Sequence, residues 1–323
     1  MNRRTLISCS LALLGLATLS SSASVAQEVF PSKPITLIMP YGAGGGPDVT
    51  NRMMADLMRK RQSLQMIVEN KPGANATLGA AYVARAKPDG YTILYGSNAN
   101  LAAAQGFFKS LPYDPIRDFA GITLVGEQYF ALLLRNEFKG ISFTQFLERA
   151  KKNPELFPIG GPSASYETAH KMMQNAARLD NTYVRYADSG KMMNDLFGGR
   201  LAGAFQPLSG AYPSINNGQA YAVAVTATQR VPTLLNVSTM HEVLPGVALS
   251  AWTGHFAPAR TPRPIIELLH TKLVEVLNDP EIRKRNEESG RALFLTPDET
   301  DAWVRKETPR WLSLLKAAGI EPE

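Results

Sequence analysis

Cysteine is the scarcest residue of this 323-residue chain and occurs once, at Cys9. It lies in a segment with the layout of a secretory signal peptide, in which Arg3 and Arg4 precede an apolar run at residues 11–19 and small residues end at Ala26. We expect cleavage near Ala26 and export to the periplasm, by the Sec or the twin-arginine route. A lipid-attachment cysteine would follow the apolar run, so the pattern is not that of a lipoprotein. The mature chain then has no cysteine, which excludes disulfide bonds and thiol catalysis.

Long apolar runs are also missing after this leader, where no stretch reaches the ~18 residues of a membrane-spanning helix. Loss of Arg3 and Arg4 with the leader lowers the formal net charge from +6 to +4. Such an excess is too small and too scattered for a nucleic-acid footprint. It either helps to attract an anionic solute or serves solubility alone. We therefore expect an exported, soluble protein without a nucleic-acid partner. We also expect a monomer, although composition and charge do not bear on the oligomeric state.

Histidine is scarce too, and the four histidines lack the H-E-x-x-H spacing of a zinc site. We expect no metal and no cofactor. Residues 161–165 contain a serine where a nucleophile elbow has one, but the closing glycine of that motif is missing. An exported hydrolase that uses Ser163 or Ser165 with His170 therefore stays a minor alternative to a protein without enzymatic activity. His255 lies in an apolar segment, which favours a core or hinge position.

A glycine-rich loop follows the first strand-like segment of the mature chain. Residues 35–39 are an apolar run typical of a buried strand, and glycines follow at positions 42, 44, 45 and 46. Pro47 and Asp48 suit the first turn of a helix, whose apolar stripe begins at position 49. This arrangement presents free backbone N–H groups to a small anion. Pro47 and Asp48 stand where a nucleotide-binding loop needs lysine and serine or threonine, which argues against nucleotide phosphate as the ligand.

The chain continues with a β-α-β-α-β rhythm, which predicts an α/β fold with a parallel sheet. Ligands of such sheets bind beyond the carboxyl ends of the strands, so the loops at residues 41–48 and 96–100 are expected to share one crevice that includes Asn98. A second strand, small-residue loop and helix occur at residues 157–179. Two such loops in two domains would face each other across a cleft. The last helices are predicted at residues 264–277, 280–289, 297–306 and 308–318.

Several segments together resemble the Bug proteins, the solute-binding receptors of tripartite tricarboxylate transporters. These segments are residues 31–35 with 41–48, 68–74, 84–92, 195–199 and 252–258, and they cover essentially the whole mature chain. The resemblance implies a two-domain periplasmic-binding-protein (Venus-flytrap) fold, with a mostly parallel sheet flanked by helices in each domain and a cleft between them. The domains are predicted at residues 27–127 plus 254–323 and at residues 128–253, after a signal peptide at 1–26.

The resemblance also implies a function: capture of a small mono- or dicarboxylate by domain closure, and delivery to membrane subunits of a transporter. A receptor that hands its liganded form to a signalling partner is the alternative. Gln206 stands where relatives carry an aspartate that could bind an amino group, which weakens the case for an amino-acid ligand. Asp48 could cap the helix or contact the ligand. The predicted ligand-binding residues are Tyr41, Ala43, Gly44, Gly45, Asp48, Asn98, Ser163, Ala164, Ser165, Tyr166 and Gln206.

Overall fold

The computed structural model describes residues 30–44, 46–161, 164–186 and 189–322. The predicted signal peptide lies outside these ranges, as do Gly45 and Ser163 of the predicted site. The strands are β1 (Ile35–Met39), β2 (Met66–Asn70), β3 (Thr92–Ser97), β4 (Phe119–Gln128), β5 (Phe130–Arg135), β6 (Ile159–Gly161), β7 (Tyr183–Arg185), β8 (Gly203–Pro207), β9 (Ala220–Val225), β10 (Ser238–Thr239), β11 (Ala251–Pro258) and β12 (Gly290–Ala292).

Helices lie between and after these strands. They are α1 (Gly46–Gln62), α2 (Thr77–Ala84), α3 (Ala104–Phe107), α4 (Phe143–Lys152), α5 (Ala164–Ala177), α6 (Ser189–Phe197), α7 (Leu208–Asn216), α8 (Met240–Val243), α9 (Arg263–Leu277), α10 (Pro280–Ser289) and α11 (Pro297–Ala317). No helix in the described part of the chain is both long enough and apolar enough to cross a bilayer.

Two six-stranded sheets organise the molecule. The first has the order β12-β4-β11-β3-β1-β2, and the second has the order β10-β9-β5-β8-β6-β7. In the first sheet β1 is parallel to both β2 and β3, whereas β11 is antiparallel to β3 and β4. In the second, β6 is parallel to β7 and β8, whereas β5 is antiparallel to β8 and β9. Both sheets are therefore mixed, and each contains a parallel set whose carboxyl ends meet at one edge.

The chain passes twice between the two sheets. It leaves the first sheet after β4 and returns to it in β11, and the strands of the second sheet lie between these two points. The predicted two-domain α/β fold is confirmed. The domain bounds at residues 127/128 and 253/254 stay a prediction.

The helix α4 shows how local sequence defines an element. Ser142 accepts a hydrogen bond from the backbone N–H of Gln145, and the Gln145 side chain accepts from the backbone of Ser142, which completes a capping box. Phe143, Phe146 and Leu147 lie on its buried face. The sequence predicts a helix at residues 142–152 with Ser142 as its N-cap, and the structure confirms both.

The last helix corrects a prediction. Two helices were predicted, at residues 297–306 and 308–318, yet α11 continues without a break from Pro297 through Pro309 to Ala317. Pro309 lacks the N–H that would close one helical hydrogen bond. The Thr308 hydroxyl donates to the Val304 carbonyl at 2.8 Å, and buried side chains occur on both sides of the proline. Continuous packing on one face therefore keeps the helix intact across the missing bond.

Candidate ligand-binding site

The first loop of the predicted site, between β1 and α1, is braced by Asp48. Its side chain is 3% exposed, and its carboxylate accepts hydrogen bonds from the Gly44 N–H (2.9 Å), from Asn70 Nδ2 (2.9 Å) and from Arg52 Nε (3.0 Å). Burial opposes ionisation, but the bonds from Arg52, Gly44 and Asn70 outweigh it and lower the pKa of Asp48 to about 2. Asp48 is therefore ionised, and it joins the loop to α1 and to the end of β2.

These contacts decide which loop groups face outward. The N–H of Gly44 is engaged by Asp48, whereas Ala43 and Gly44 themselves are exposed on the loop. Gly44 has a φ of +83°, which favours glycine, and a Cβ built at Gly42 or Gly44 would meet no atom within 4 Å. Asn70 Nδ2 also donates to the Tyr41 carbonyl at 3.0 Å. The loop is thus held at both ends and open on its outer face.

Tyr41 connects this loop to the end of the neighbouring parallel strand. Its hydroxyl hydrogen-bonds Ser97 Oγ at 2.7 Å, and its ring packs edge-on to Tyr95 with a centroid distance of 6.3 Å. Burial raises the pKa of the Tyr41 phenol, and the bond to Ser97 opposes this only in part. Tyr41 therefore stays a neutral hydroxyl group that can donate or accept one hydrogen bond.

The second loop leads directly into α5, which begins earlier than predicted. The sequence placed the helix start at Glu167, whereas the structure starts it at Ala164, so Ala164, Ser165 and Tyr166 form its first turn. The N–H groups of a first helical turn have no intrahelical partners, and the helix dipole places partial positive charge there. Tyr166 is buried and packs on Phe130 at a centroid distance of 4.4 Å. This end of α5 is suited to an anion.

A side-chain hydrogen bond brings the two loops together. Asn98 follows β3 in the first sheet, and its Nδ2 donates to Ser165 Oγ in α5 at 3.3 Å. Tyr41 of the first loop also lies near Tyr166 of the second. Burial raises the pKa of the Tyr166 phenol, and the nearby Tyr41 raises it further. The structure thus assembles Tyr41, Asn98, Ser165 and Tyr166 from two separate sheets.

Gln206 lies at the same edge of the second sheet as the second loop. It is buried in β8, which is parallel to β6 and adjacent to it. A Cβ built at Gly210, in α7, would lie 3.4 Å from Gln206 Oε1, so the amide reaches toward the start of that helix. The structure records no hydrogen bond between this amide and another described residue. The Gln206 amide is a neutral group that can both donate and accept at this edge.

The predicted site residues carry a single charge, on Asp48, and Arg52 pairs with it. The other groups that the structure shows there are hydroxyls, amides and backbone N–H groups, all of them neutral. Among the described residues no cluster of three or more His, Cys, Asp or Glu side chains could hold a metal ion. This arrangement can bind an anion by hydrogen bonds and helix dipoles without a lysine or arginine.

His170, the candidate base of the hydrolase alternative, is fully buried in α5. It packs against Tyr183 with a ring-centroid distance of 5.2 Å, and burial lowers its pKa to about 4. Ser165 Oγ takes its recorded hydrogen bond from Asn98, and the described residues show none between Ser165 and a histidine. Ser165 and His170 are therefore not arranged as a nucleophile and its base.

Sequence reasoning missed four residues that support the site. Asn70 and Ser97 lie at the ends of β2 and β3, and polar residues at carboxyl ends of parallel strands were a signal that could have found them. Arg52 lies one helical turn after Asp48, the spacing of an ion pair on a helix. Trp252 contacts Asn98 through its backbone N–H and carbonyl, so the type of residue at position 252 gave no signal of this contact.

Two mixed sheets flanked by helices, connected by two crossings of the chain, define a two-domain fold of the periplasmic-binding-protein class. Structural comparison shows the same fold. The periplasmic binding protein BugD matches at a TM-score of 0.80 with 31% identity, covering 91% of this chain and all of BugD (100%). A structure of R. palustris Rpa4515 with adipate matches at 0.82 with 25% identity, covering 91% and 100%. MatC from Rhodopseudomonas palustris, with bound malate, matches at 0.75 with 28% identity, covering 88% and 100%.

The sequence comparison gives the family. The family model described as the tripartite tricarboxylate transporter family receptor matches residues 50–320. A UPF0065 protein from Agrobacterium vitis, described by its position in the TAR-I ttuE-ttuC' intergenic region, is 33% identical over 316 residues, covering 96% of this chain and 91% of the relative. The chain belongs to the tripartite tricarboxylate transporter receptor family, and the predicted resemblance to the Bug proteins is confirmed.

Proposed function

We propose that this receptor captures a small mono- or dicarboxylate in the periplasm and releases it to the membrane subunits of a tripartite tricarboxylate-type transporter. The proposal rests on one observation: the structure brings together two loops that belong to different sheets and that each lead into the first turn of a helix. Tyr41 and Ser97 stand on one side, Ser165 and Tyr166 on the other, and Asn98 joins them. Domain closure around the ligand would bring N–H and hydroxyl donors to its carboxylate from both sides.

Two structural neighbours support this class of ligand. One is described with adipate and one with malate, both dicarboxylates. In this chain the donors around the gap are neutral, and neutral donors recognise a carboxylate without fixing what is attached to it. Tyr166 adds an aromatic face beside the second loop, so an aromatic acid belongs among the candidate ligands. We propose a monomeric receptor. We also propose that it has no catalytic activity, because Ser165 Oγ is engaged by Asn98 and His170 is buried without a recorded hydrogen bond to Ser165.

The test is a binding screen on mature protein that begins at residue 27. Malate, adipate and benzoate represent dicarboxylates and aromatic acids, and glucose and spermidine are the comparison solutes. A ligand at a hundred times its Kd adds about 2.7 kcal/mol to the free energy of unfolding, which thermal unfolding detects readily. Stabilisation by organic acids alone is expected. Stabilisation by glucose or spermidine with none by any organic acid would contradict the proposal.

Enzymatic activity is tested separately on the same preparation. A chromogenic short-chain ester is incubated with wild-type protein and with the Ser163→Ala and Ser165→Ala variants. We expect background hydrolysis in all three, because the described residues give Ser165 no general base. Turnover that disappears in either variant would instead establish the hydrolase alternative.

A further inference from the structure

Gln206, at the end of β8, is a buried polar residue for which the described part of the chain supplies no hydrogen-bond partner. It is 5% exposed, and neither of its amide atoms is fully enclosed. Ala204, two positions earlier on the strand, belongs to the same apolar cluster as Leu208 and Ala211 of α7, so Gln206 lies on the face of the sheet that α7 covers. A Cβ built at Gly210 would lie 3.4 Å from Gln206 Oε1. The amide is therefore next to the first turn of α7.

The first turn of α7 has backbone donors without partners. Its N-cap is Pro207, which has no N–H and makes no side-chain cap, and the Leu208 N–H donates to the Tyr129 carbonyl at 2.9 Å. The described residues supply no recorded acceptor for the N–H groups of Ser209 and Gly210. The helix dipole places partial positive charge at the same end. Two free N–H groups thus lie beside a buried amide that has no partner either.

The helices α5 and α7 begin at the same edge of the second sheet, on opposite faces. The strand β8 lies beside β6 and parallel to it, so both strands end at this edge. Phe205 of β8 shares a core cluster with Ala169 of α5, whereas Ala204 shares a different cluster with α7. The edge therefore offers two positions for negative charge, one at the start of each helix.

The chemistry of the α7 position follows from its neutral donors. The charged groups that act on Tyr129, whose carbonyl holds the first N–H of α7, are Glu127 and Arg291. These two side chains form an ion pair with an N–O distance of 2.7 Å. An ammonium group would meet free N–H groups and the positive end of a dipole, and an apolar tail would leave the Gln206 amide buried without a partner, which costs free energy. A carboxylate can accept from the amide and from the N–H groups together.

We propose that Gln206 and the first turn of α7 form a second anion subsite, which receives the distal carboxylate of a dicarboxylate while the start of α5 holds the other one. This inference rests on the proposed function and narrows the ligand to a dicarboxylate. The members of the subsite, Gln206, Ser209 and Gly210, lie within five consecutive positions of the second domain. Their geometry is therefore independent of how far the cleft between the domains is closed.

The first test compares acids of matched length by calorimetry on mature protein. The pairs are succinate with butyrate, adipate with hexanoate, and phthalate with benzoate. In the pair that binds best, the dicarboxylate should bind at least about tenfold more tightly, the lower range for hydrogen bonds to a charged group. Monocarboxylates that bind as tightly as their dicarboxylate partners in all three pairs would overturn the subsite and leave the proposed function standing. Failure of all six acids to bind would overturn both.

The second test removes the amide without changing the length of the side chain. Gln206→Met breaks no recorded hydrogen bond within the protein, so the fold should be kept, and thermal unfolding without added acid checks this. It should lower the affinity for the best dicarboxylate about ten- to a hundredfold and the affinity for its matched monocarboxylate less than about threefold. Gln219→Met is the matched control, because Gln219 is exposed beyond the other end of α7, and it should change neither affinity by more than about twofold. Equal losses for both acids in Gln206→Met would indicate a merely structural role and overturn the subsite.

The third test reverses the preference of the subsite for charge. Gln206→Glu places a carboxylate opposite the second carboxylate of adipate, so it should weaken adipate more than Gln206→Met does. The same variant should bind 6-aminohexanoate, which has an ammonium group in place of that carboxylate, more tightly than the wild type does. Wild-type affinities for both compounds in Gln206→Glu would overturn the subsite. If Gln206→Glu does not fold, the comparison between Gln206→Met and Gln219→Met decides.

Discussion

Replacement of Asp48 by asparagine tests whether the Asp48 carboxylate stabilises the glycine loop through its bonds to Gly44, Arg52 and Asn70. The substitution keeps the size of the side chain and one acceptor oxygen but removes the charge shared with Arg52. The pKa of Asp48 falls from 3.8 to about 2 in the folded protein. Roughly two pKa units at ~1.4 kcal/mol each correspond to at most about 2–3 kcal/mol of stabilisation. Because the Arg52 side chain is 48% exposed, solvent screening reduces this to about 1–2 kcal/mol.

The sign of the pH dependence follows from the depressed pKa. A carboxylate with a lower pKa in the folded state stabilises the protein above its unfolded pKa, and that contribution disappears as pH falls through the folded value. The stability difference between wild type and Asp48→Asn should therefore be about 1–2 kcal/mol at pH 7 and should shrink between about pH 4 and pH 2. Urea unfolding at pH 7, 5, 4 and 3, followed by tryptophan fluorescence, measures it.

Asp56→Asn is the matched control on the same helix. Asp56 pairs with Arg59 and Lys60, but its side chain is 44% exposed and solvent screens both pairs, so its loss should lower the free energy of unfolding much less than the loss of Asp48. A destabilisation by Asp48→Asn that stays constant from pH 7 to pH 3, or one no larger than that of Asp56→Asn, would refute the reasoning.

Three further predictions concern the site and the buried histidines. Tyr41→Phe removes the hydrogen bond to Ser97 and one hydroxyl group from the cleft. It should lower the affinity for a carboxylate about two- to tenfold, measured by calorimetry. An unchanged affinity would place Tyr41 outside the site. Because the donors shown at the site are neutral, the affinity should change less than about threefold between 50 and 500 mM NaCl, whereas a site built on unpaired arginine or lysine would lose more. Burial lowers the pKa values of His170 and His255 to about 4. The free energy of unfolding should therefore fall as pH drops from about 6.5 toward 4, and His170→Gln should make that fall less steep in urea unfolding at pH 7, 6, 5 and 4. An equal slope in variant and wild type would contradict the assignment.

Much of the fold was predictable because its signals are local. The capping box at Ser142 and the strand, glycine loop and helix around Asp48 are each specified by residues a few positions apart. The start of α5 was placed three residues late, because the small residues Ala164 and Ser165 fit a loop as well as a helix. The continuation of α11 through Pro309 was also missed, since its stability comes from packing that no local pattern contains.

The candidate site was predictable as a set of loops but not as a set of contacts. Asp48 had two open roles in the sequence, helix capping and ligand contact. The structure shows its bonds to Gly44, Arg52 and Asn70, and a contact with a ligand stays a prediction. The roles of Gly45 and Ser163, which lie outside the described residues, stay predictions, as does the role of each site residue toward a ligand.

The sequence by itself determined the family, the two-loop plan and the neutral character of the donors, because motifs and residue types are read along the chain. Only the tertiary structure decided which groups are already engaged. Asn98 reaches Ser165 across 67 positions, and Asn70 reaches Asp48 across 22. Such contacts depend on how two sheets and their crossing strands bring distant loops together, and hydrogen bonds are sensitive to tenths of an ångström that no spacing rule encodes.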